Sequence, residues 1–349
     1  MALALTIILF VIIFGVVITL HEFGHFIVAR WEHMVVREFA FGFPPRLWST
    51  KRGATRYSLN AVPLGGYVSI LGEDEASNAT GSFSAKSPWA RLRVVLAGIT
   101  MNVLLAWLVL TLYFLIAPLF HAPEAVVVAG VRPGSPAEAA GFKPNDFVLR
   151  ARDEAFKTDQ DLVAYTKAHA GEVVTFTILR SGNERQLTAT LDSAASGPLG
   201  VQVLDVSEFP AIPWWQAPWY ALQETWAVTV ATLGFFVGLL AKPFGGGVGV
   251  SADSVSGPVG IFSTLQQVQV LGLPAILHFS GLISLAVGLF NALPFPALDG
   301  GRAVFLLFEG LFGKKVLKPE VEGWIHAAGF LVLIGLIILV TIIDVRRLG

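Results

Sequence analysis

Long apolar runs dominate this chain of 349 residues and set its expected organisation. Residues 2–20 carry no charged side chain, and residues 94–119 form a second uncharged run. Two further apolar runs cover residues 274–294 and 324–343. A helix needs about 20 consecutive apolar residues to cross the hydrocarbon core of a bilayer. The pattern therefore predicts about four transmembrane helices.

Composition changes this picture little but narrows the chemistry. Hydrophobic residues make up 54% of the chain and charged residues 14%, against about 25% charged in ordinary soluble domains. The net charge is −1 and there is no basic stripe, so nothing indicates a nucleic-acid partner. Cysteine is absent, which leaves histidine and carboxylate as the available metal ligands. The first run lacks a basic n-region and a small-residue cleavage site, so we expect a retained span.

The first apolar run ends in an H-E-x-x-H pattern, His21-Glu22-Phe23-Gly24-His25. Residues four apart share one face of a helix, so His21 and His25 can bind one zinc ion while Glu22 stands beside it as a general base. Ionisable groups at membrane depth are costly and indicate a functional site. The alternative is a chance match to a short pattern, which the cost of burying three unpaired polar groups disfavours.

A second polar motif, N-x-x-P-x-P-x-L-D-G, covers residues 291–300. Its Asp299 offers a carboxylate, and two histidines with one carboxylate and an open fourth position form the ligand set of a catalytic zinc site. Together the two motifs resemble those of the site-2 protease family of intramembrane zinc metalloproteases, and most closely its bacterial RseP type. The alternative role for Asp299 is the N-cap of a helix over residues 300–312.

The resemblance covers nearly the whole chain and implies a fold class: a polytopic α-helical membrane protein with a site-2 protease core, a reentrant β-hairpin and an inserted α+β PDZ domain. It implies Zn2+ as the cofactor, held by His21, His25 and Asp299, with Glu22 as the catalytic base. It also makes Asn291 a candidate for binding the oxyanion or the substrate strand. An amide hydrogen-bonded between helices is the alternative for Asn291.

Between the first two spans, residues 57–62 and 67–71 are typical of two strands, with a Pro-Leu-Gly-Gly turn between them. They resemble the membrane-reentrant β-loop of the family. An exposed edge with Gly66, Tyr67 and Val68 would pair with an extended substrate near the zinc ion. A surface hairpin packed on the first span is the alternative.

Charge asymmetry predicts the orientation of the chain. Nine lysines and arginines lie from Arg30 to Arg93, so the positive-inside rule places this segment in the cytoplasm and the N-terminus outside. Residues 214–241 are apolar enough for a fifth span, but a crossing there would carry Asp299 to the side opposite the histidines. We therefore expect residues 214–241 to lie at the outer interface, which suits the four tryptophans among them.

Residues 120–206 predict an α+β domain on the outer side of the membrane. Its strands are expected at residues 126–131, 147–150, 173–180 and 185–191, and its main helix at residues 159–169. The run P-G-S-P-A-E-A-A-G-F-K-P-N-D resembles a PDZ domain of the bacterial periplasmic protease type. In that comparison Gly197, Leu199 and Gly200 belong to the loop that holds a peptide C-terminus. A domain that only blocks access is the alternative.

The sequence predicts seven consecutive segments. They are residues 1–29, the first span; 30–93, the cytoplasmic and reentrant β-loop region; 94–119, the second span; 120–206, the PDZ domain; 207–273, an interfacial amphipathic region; 274–312, the third span with the second motif; and 313–349, the fourth span and the C-terminus.

The sequence predicts an intramembrane zinc endopeptidase that cleaves single-span membrane proteins within the lipid bilayer. The resemblance implies the bacterial inner membrane as its location, an active site toward the cytoplasm, and anti-sigma factors or signal-peptide remnants as substrates. The rival functions are a non-enzymatic scaffold that captures peptide C-termini with its PDZ domain, and a metal transporter. Glu22 favours the protease, because a structural or transport site needs no base between its two histidines.

Overall fold

The computed structural model describes residues 2–73, 77–120, 125–180, 183–193, 197–204, 212–241, 256–314 and 319–348. The chain divides into two compact units. The first comprises Met1–Phe114, Trp214–Leu265 and Leu277–Gly349, and the second comprises Leu115–Pro213 and Gln266–Ile276.

Nine helices and eight strands account for most of the described residues. In chain order they are α1 (Ala2–Trp31), β1 (Val36–Arg52), β2 (Thr55–Ile70), α2 (Pro88–Ile116), β3 (Val126–Val131), α3 (Pro136–Ala140), β4 (Phe147–Ala151), β5 (Glu154–Ala155), α4 (Asp159–Ala168), β6 (Val173–Arg180), β7 (Asn183–Thr190), β8 (Val201–Leu204), α5 (Ala217–Ala241), α6 (Pro258–Val268), α7 (Leu273–Asn291), α8 (Asp299–Phe312) and α9 (Pro319–Leu348).

Within the described residues, five helices are long and apolar enough to cross a membrane. Four of them, α1, α2, α7 and α9, correspond to the four predicted spans. The fifth is α5, a continuous helix of 25 residues in the segment that the sequence analysis assigns to the interface. The predicted count of four is therefore one fewer than the helices with the length and composition of a span.

The second span begins earlier than its uncharged run. The predicted start is residue 94, but α2 starts at Pro88, a residue whose fixed φ suits the first turn of a helix. This places two arginines in the helix, and both are paired. Arg91 Nη2 lies 2.5 Å from Glu309 Oε1 of α8, and Arg93 Nε lies 2.6 Å from Glu32 Oε1. The apolar pattern cannot predict this first turn of α2, because its arginines depend on two glutamates, Glu32 and Glu309, that are distant in sequence.

The predicted hairpin of residues 57–62 and 67–71 is wrong in its pairing. The two segments are parts of one strand, β2, and both pair with β1 instead of with each other: Ala40 has Ser58 as one partner and Tyr67 as another. The turn of the β1–β2 pair lies at residues 53–54. The difference arises because residues 36–43, the first part of β1, lie between the two segments and pair with both, which satisfies backbone groups on both edges of β1 there.

This small sheet packs against α1 close to its histidines. The ring of Phe26 lies 5.1 Å from that of Phe39 in β1 and 6.0 Å from that of Tyr57 in β2, measured between centroids. Phe26 belongs to a buried apolar cluster with Val36, Ile70 and residues of α2. The cluster fixes β2 beside the turn of α1 that carries the H-E-x-x-H motif.

The second unit is a sheet with strand order β7-β6-β4-β3-β8, to which β5 adds by pairing with β4. Strands β3 and β6 have the predicted bounds, whereas β8 follows a loop and is not predicted at all. Phe142, Phe176 and Leu162 are among the residues of its buried core. Residues 205–211, where the predicted boundary between the PDZ domain and the interfacial region falls, lie outside the described residues.

A buried ion pair holds this unit together. Asp146 is fully buried, and its two carboxylate oxygens accept from Arg180 Nε at 2.6 Å and Arg180 Nη2 at 2.7 Å. The main-chain N–H of Lys143 donates to the same carboxylate. The hydrogen bond to Asp146 raises the pKa of the Arg180 guanidinium above its ordinary value. A bidentate pair with a third donor is a strong arrangement for a buried charge.

Candidate metal centre

Three side chains from two helices meet in a buried cluster. His21 Nε2 lies 3.0 Å from Asp299 Oδ2, His25 Nε2 lies 3.3 Å from the same oxygen, and the two Nε2 atoms are 3.2 Å apart. Both histidines are buried, and Asp299 is 19% exposed. The H-E-x-x-H spacing accounts for the histidines, because α1 continues through residue 31 and sets both rings on one face.

The distances suit a tetrahedral metal ion. Zinc–ligand bonds of about 2.0–2.1 Å in a tetrahedron place neighbouring ligand atoms about 3.3 Å apart. The three observed separations of 3.0, 3.2 and 3.3 Å are close to the edges of one face of such a tetrahedron. Among the described residues, the group of possible ligands has these three members, which leaves a fourth position for water or substrate.

The loop before α8 brings Asp299 to the histidines. Gly300 and Gly301 allow this, since a Cβ on Gly300 would lie 2.3 Å from two main-chain oxygens and one on Gly301 would lie 2.3 Å from Phe295 O. Asp299 is the first residue of α8, the N-cap position belongs to Leu298, and no side chain caps the helix. The N-cap alternative for Asp299 is therefore wrong.

A histidine from α9 supports the same loop. Ala297 has a φ of +77°, a conformation that few residues other than glycine adopt, and its main-chain N–H donates to His326 Nδ1 at 2.9 Å. Gly329, one turn later, packs against Pro296 so closely that a Cβ would lie 2.5 Å from the proline side chain. No role for His326 can be predicted from the sequence, because a contact between α9 and this loop leaves no local pattern.

Helix α2 covers the other side of the two histidines. His25 Nδ1 lies 2.8 Å from Val94 O, and His21 Nδ1 lies 3.3 Å from Asn102 Nδ2. Between these contacts, Gly98 provides the necessary space: a Cβ there would lie 2.4 Å from His25 Nε2 and 2.7 Å from His21 Nε2. The sequence alone does not identify Gly98 or Asn102 as contacts of the histidines, because these contacts join two helices and leave no local pattern.

Glu22 faces the small sheet. Its Oε2 accepts a hydrogen bond of 3.0 Å from the main-chain N–H of Val68 in β2. The neighbouring Tyr67 pairs with Ala40, and Gly66 pairs with Phe41 and would place a Cβ 2.5 Å from Ala40 O. The three predicted strand-pairing residues thus lie in one segment beside Glu22.

Asn291 does not join the metal cluster through any described contact. Its Nδ2 donates to Val287 O at 2.9 Å, one turn earlier in its own helix α7. The alternative of a hydrogen bond between helices is not observed either, because the bond is within α7. Gly197, Leu199 and Gly200 lie in the second unit, before β8.

Comparison with known families agrees with the motifs. The profile of peptidase family M50 matches residues 9–336. The chain belongs to peptidase family M50. A protein of Clostridium acetobutylicum whose name includes the words zinc metalloprotease is 32% identical over 342 residues, which cover 97% of each chain. The zinc metalloprotease RasP of Oceanobacillus iheyensis is 25% identical over 430 residues, which cover 98% of this chain and 99% of that protein.

Two solved structures are also similar to part of the chain. The PDZ domain of an SdrC-like protein from Listeria monocytogenes is 20% identical, covers 23% of this chain and 88% of its own, and has a TM-score of 0.21. The corresponding domain from Listeria innocua is 19% identical, covers 24% of this chain and 99% of its own, and has a TM-score of 0.22.

Family membership confirms the resemblance to site-2 proteases that the two motifs indicate. The M50 member described here is a peptidase, and its long apolar helices make it a multi-pass membrane protein.

Proposed function

We propose that this M50 peptidase is a zinc endopeptidase that hydrolyses peptide bonds within transmembrane segments. One observation carries the proposal: three buried ligand atoms, all within 4.8 Å of one another, converge at the turn of α1 that also carries Glu22. His21, His25 and Asp299 would hold Zn2+, which agrees with the names of the relatives. When bound, zinc supplies a Lewis acid that makes a water molecule nucleophilic near neutral pH.

Glu22 is the general base in this proposal. Its carboxylate is not a member of the ligand group, and the hydrogen bond from the N–H of Val68 fixes the position of one oxygen. Glu22 takes a proton from the attacking water and passes it to the amine that leaves. A positioned base of this kind accelerates a reaction by about 10²–10⁴-fold.

The edge of β2 is proposed to hold the substrate in an extended form. A transmembrane helix keeps its backbone groups internally bonded, so a protease must unwind it before hydrolysis. Gly66 and Val68 lie on the segment that faces Glu22, and strand pairing there would bring a peptide bond next to the base. Their small or apolar side chains suit a site within hydrocarbon.

Contacts between helices support four net crossings. Glu224, near the start of α5, lies 2.6 Å from His278, near the start of α7. The two helices therefore begin at the same side of the first unit. If α5 crossed the membrane, the chain would have to cross back before α7 begins. The segment from α5 to the start of α7 therefore adds no net membrane crossing. We propose that it lies in or against the outer leaflet, with the active site toward the cytoplasm.

Because the chain has no cysteine, single cysteines can test this topology. Trp215 and Leu239, near the two ends of α5, are exposed on the protein surface. An interfacial α5 predicts that Trp215→Cys and Leu239→Cys react with a membrane-impermeant thiol reagent from the same side. Reaction from opposite sides would contradict this arrangement.

The second unit is proposed to bind peptide C-termini as a PDZ domain. Three consecutive carbonyls of its loop already accept bonds of 2.9 Å, namely Pro198 from Asp192, Leu199 from Ala137 and Gly200 from Arg132. Pro198 has no N–H group, but among the described contacts the N–H groups of Leu199 and Gly200 have no acceptor, so we propose these two for the carboxylate; β8, which follows the loop, is a terminal strand of the sheet. A peptide with a free C-terminus should bind, and its amidated form should not.

The substrates we propose are single-span membrane proteins without large ectodomains, such as trimmed anti-sigma factors or signal-peptide remnants in the bacterial inner membrane. The test uses the purified full chain in lipid nanodiscs and a tagged single-span helix. The natural protein should cleave within the span. Glu22→Gln should retain zinc and lose at least about 10²-fold in rate, whereas Asp299→Asn should lose zinc as well.

Two further measurements, peptide binding and zinc flux in closed vesicles, separate the rival functions. A scaffold would bind peptides through its second unit, but neither the natural protein nor Glu22→Gln would cleave the substrate. A transporter would move zinc across a vesicle membrane, and Glu22→Gln would leave that flux intact. Full proteolytic activity in Glu22→Gln would contradict the assignment of the base.

A further inference from the structure

One face of α2 serves both proposed zinc-binding histidines. Val94, Gly98 and Asn102 are spaced four residues apart and therefore lie along one stripe of the helix. Val94 contributes its carbonyl to His25 Nδ1, Gly98 contributes space, and Asn102 contributes an amide to His21 Nδ1. What Asn102 contributes depends on the proposed zinc site.

A neutral histidine carries one proton, so the two ring nitrogens cannot both bind metal or accept hydrogen bonds. His25 meets this requirement through Val94, since a carbonyl accepts the proton on Nδ1 and leaves the Nε2 lone pair for a metal. His21 needs an equivalent acceptor at its own Nδ1. Among the described contacts of that atom, the side-chain amide of Asn102 is the group in reach, with Nδ2 at 3.3 Å.

The amide of Asn102 can supply that acceptor. Asn102 is fully buried, and its Oδ1 has no hydrogen-bond partner among the described residues. A half-turn of the amide exchanges Oδ1 and Nδ2 and presents the oxygen to His21 Nδ1. When Asn102 Nδ2 faces His21 Nδ1, it suits the tautomer in which His21 Nε2–H donates to Asp299. When Asn102 Oδ1 faces His21 Nδ1, it suits the tautomer in which Nε2 is free for a metal.

The backbone around Asn102 is held in place. Ser284 Oγ of α7 donates to Asn102 O at 2.9 Å, and a Cβ on Gly288 of α7 would lie 3.0 Å from Asn102 Cβ. These two contacts fix the main chain and Cβ of Asn102, so the exchange of Oδ1 and Nδ2 requires only a rotation of the side-chain amide.

We propose that Asn102 is a positioning residue that selects the metal-binding tautomer of His21 by accepting the proton on Nδ1. It does not touch the metal or the substrate in this proposal. Partners of this kind typically change metal affinity by about 10–100-fold when they are removed.

The test compares two substitutions of nearly the same size. Asn102→Leu removes every acceptor, whereas Asn102→Asp keeps an oxygen that can accept from Nδ1. The full chain is purified in detergent, and its zinc dissociation constant is measured by competition with a chromophoric chelator. We expect Asn102→Leu to bind zinc about 10–100-fold more weakly than the natural protein. Asn102→Asp should bind at least as tightly as the natural protein.

A cobalt spectrum and one control variant complete the design. Co2+ in the site should give the same visible spectrum in the natural protein and Asn102→Asp, and an altered one in Asn102→Leu. Ser284→Ala removes the bond to the backbone of Asn102 but leaves the amide, so its zinc affinity should be unchanged. Natural affinity in Asn102→Leu, or equal weakening in both Asn102 variants, would overturn the inference. An absence of zinc binding by the natural protein would overturn the proposed function with it.

Discussion

The main-chain nitrogen of Val68 lies 3.0 Å from the Oε2 atom of Glu22, so a hydrogen bond joins the edge of β2 to the proposed catalytic base. The N–H group orients the carboxylate and at the same time marks the point where a substrate strand would approach. A change confined to this N–H group tests whether the orientation matters.

Val68→Pro removes the donor, and proline is tolerated at strand edges where the N–H is not part of the ladder. We expect cleavage to slow by at least about 10-fold, because a positioned base contributes about 10²–10⁴-fold and this variant loses the bond that orients it, while zinc content stays the same. Val68→Ala keeps the N–H and is the matched control, with a rate near that of the natural protein. Equal rates in both variants would show that the bond has no role in turnover.

Gly98→Ala tests the space between α2 and the histidines. Its new methyl group would lie 2.4 Å from His25 Nε2 and 2.7 Å from His21 Nε2, so the rings must move away from each other or from Asp299. We expect loss of zinc, measured by metal analysis of the purified chain, together with loss of cleavage.

Gly335→Ala in α9 is the control for that substitution, because a Cβ at Gly335 meets no atom within 4 Å. It should retain both zinc and activity. Zinc retained at the natural level in Gly98→Ala would show that the cluster does not have the described geometry when the metal is bound.

Removal of the metal should separate the two units functionally. Treatment with a chelator should abolish cleavage of a single-span substrate, and added zinc should restore it. The second unit contains none of the three proposed ligands, so its affinity for peptide C-termini should not change. Loss of peptide binding on chelation would contradict this independence.

Asp146→Ala should destabilise the second unit strongly, because it leaves Arg180 without its buried partner. Breaking a buried pair in this way costs about 3–5 kcal/mol. Limited proteolysis of the full chain should show cleavage within residues 125–204 at least about 100-fold faster, since 1.4 kcal/mol corresponds to about a factor of ten. Asp153→Ala, at an exposed position in the same unit, should be cleaved at the natural rate.

The sequence is sufficient for the parts of the site that depend on local geometry. The four-residue spacing of His21 and His25 requires only a helix, and the uncharged run around them predicts one. Asp299 is predictable through a motif whose glycines permit a close turn. Strands β3 and β6 follow from dense β-branched and apolar residues between turn signals.

The parts that the sequence does not predict depend on partners far along the chain. Residues 36–43 form the strand between the two halves of β2, although nothing local reveals their partners. Glu73 Oε1 lies 2.6 Å from Arg302 Nη1 of α8, a partner more than two hundred residues later in the chain. A polar residue in an apolar helix, such as Asn102, indicates a polar contact but does not identify the partner.

The three residues of the stripe on α2, Val94, Gly98 and Asn102, should differ in how many substitutions they tolerate. In the proposed arrangement, Gly98 acts through the absence of a side chain and Asn102 through its side-chain amide. Few other residues can therefore replace either of them. Val94 acts through its carbonyl oxygen, which every residue possesses. The two proposed zinc-binding histidines are thus supported in different ways: His21 depends on the side chain at position 102, and His25 depends on the main chain of α2. A mutational scan should find position 94 permissive to apolar residues and position 102 restricted to residues whose side chain offers a hydrogen-bond acceptor, although both positions contact a proposed zinc ligand.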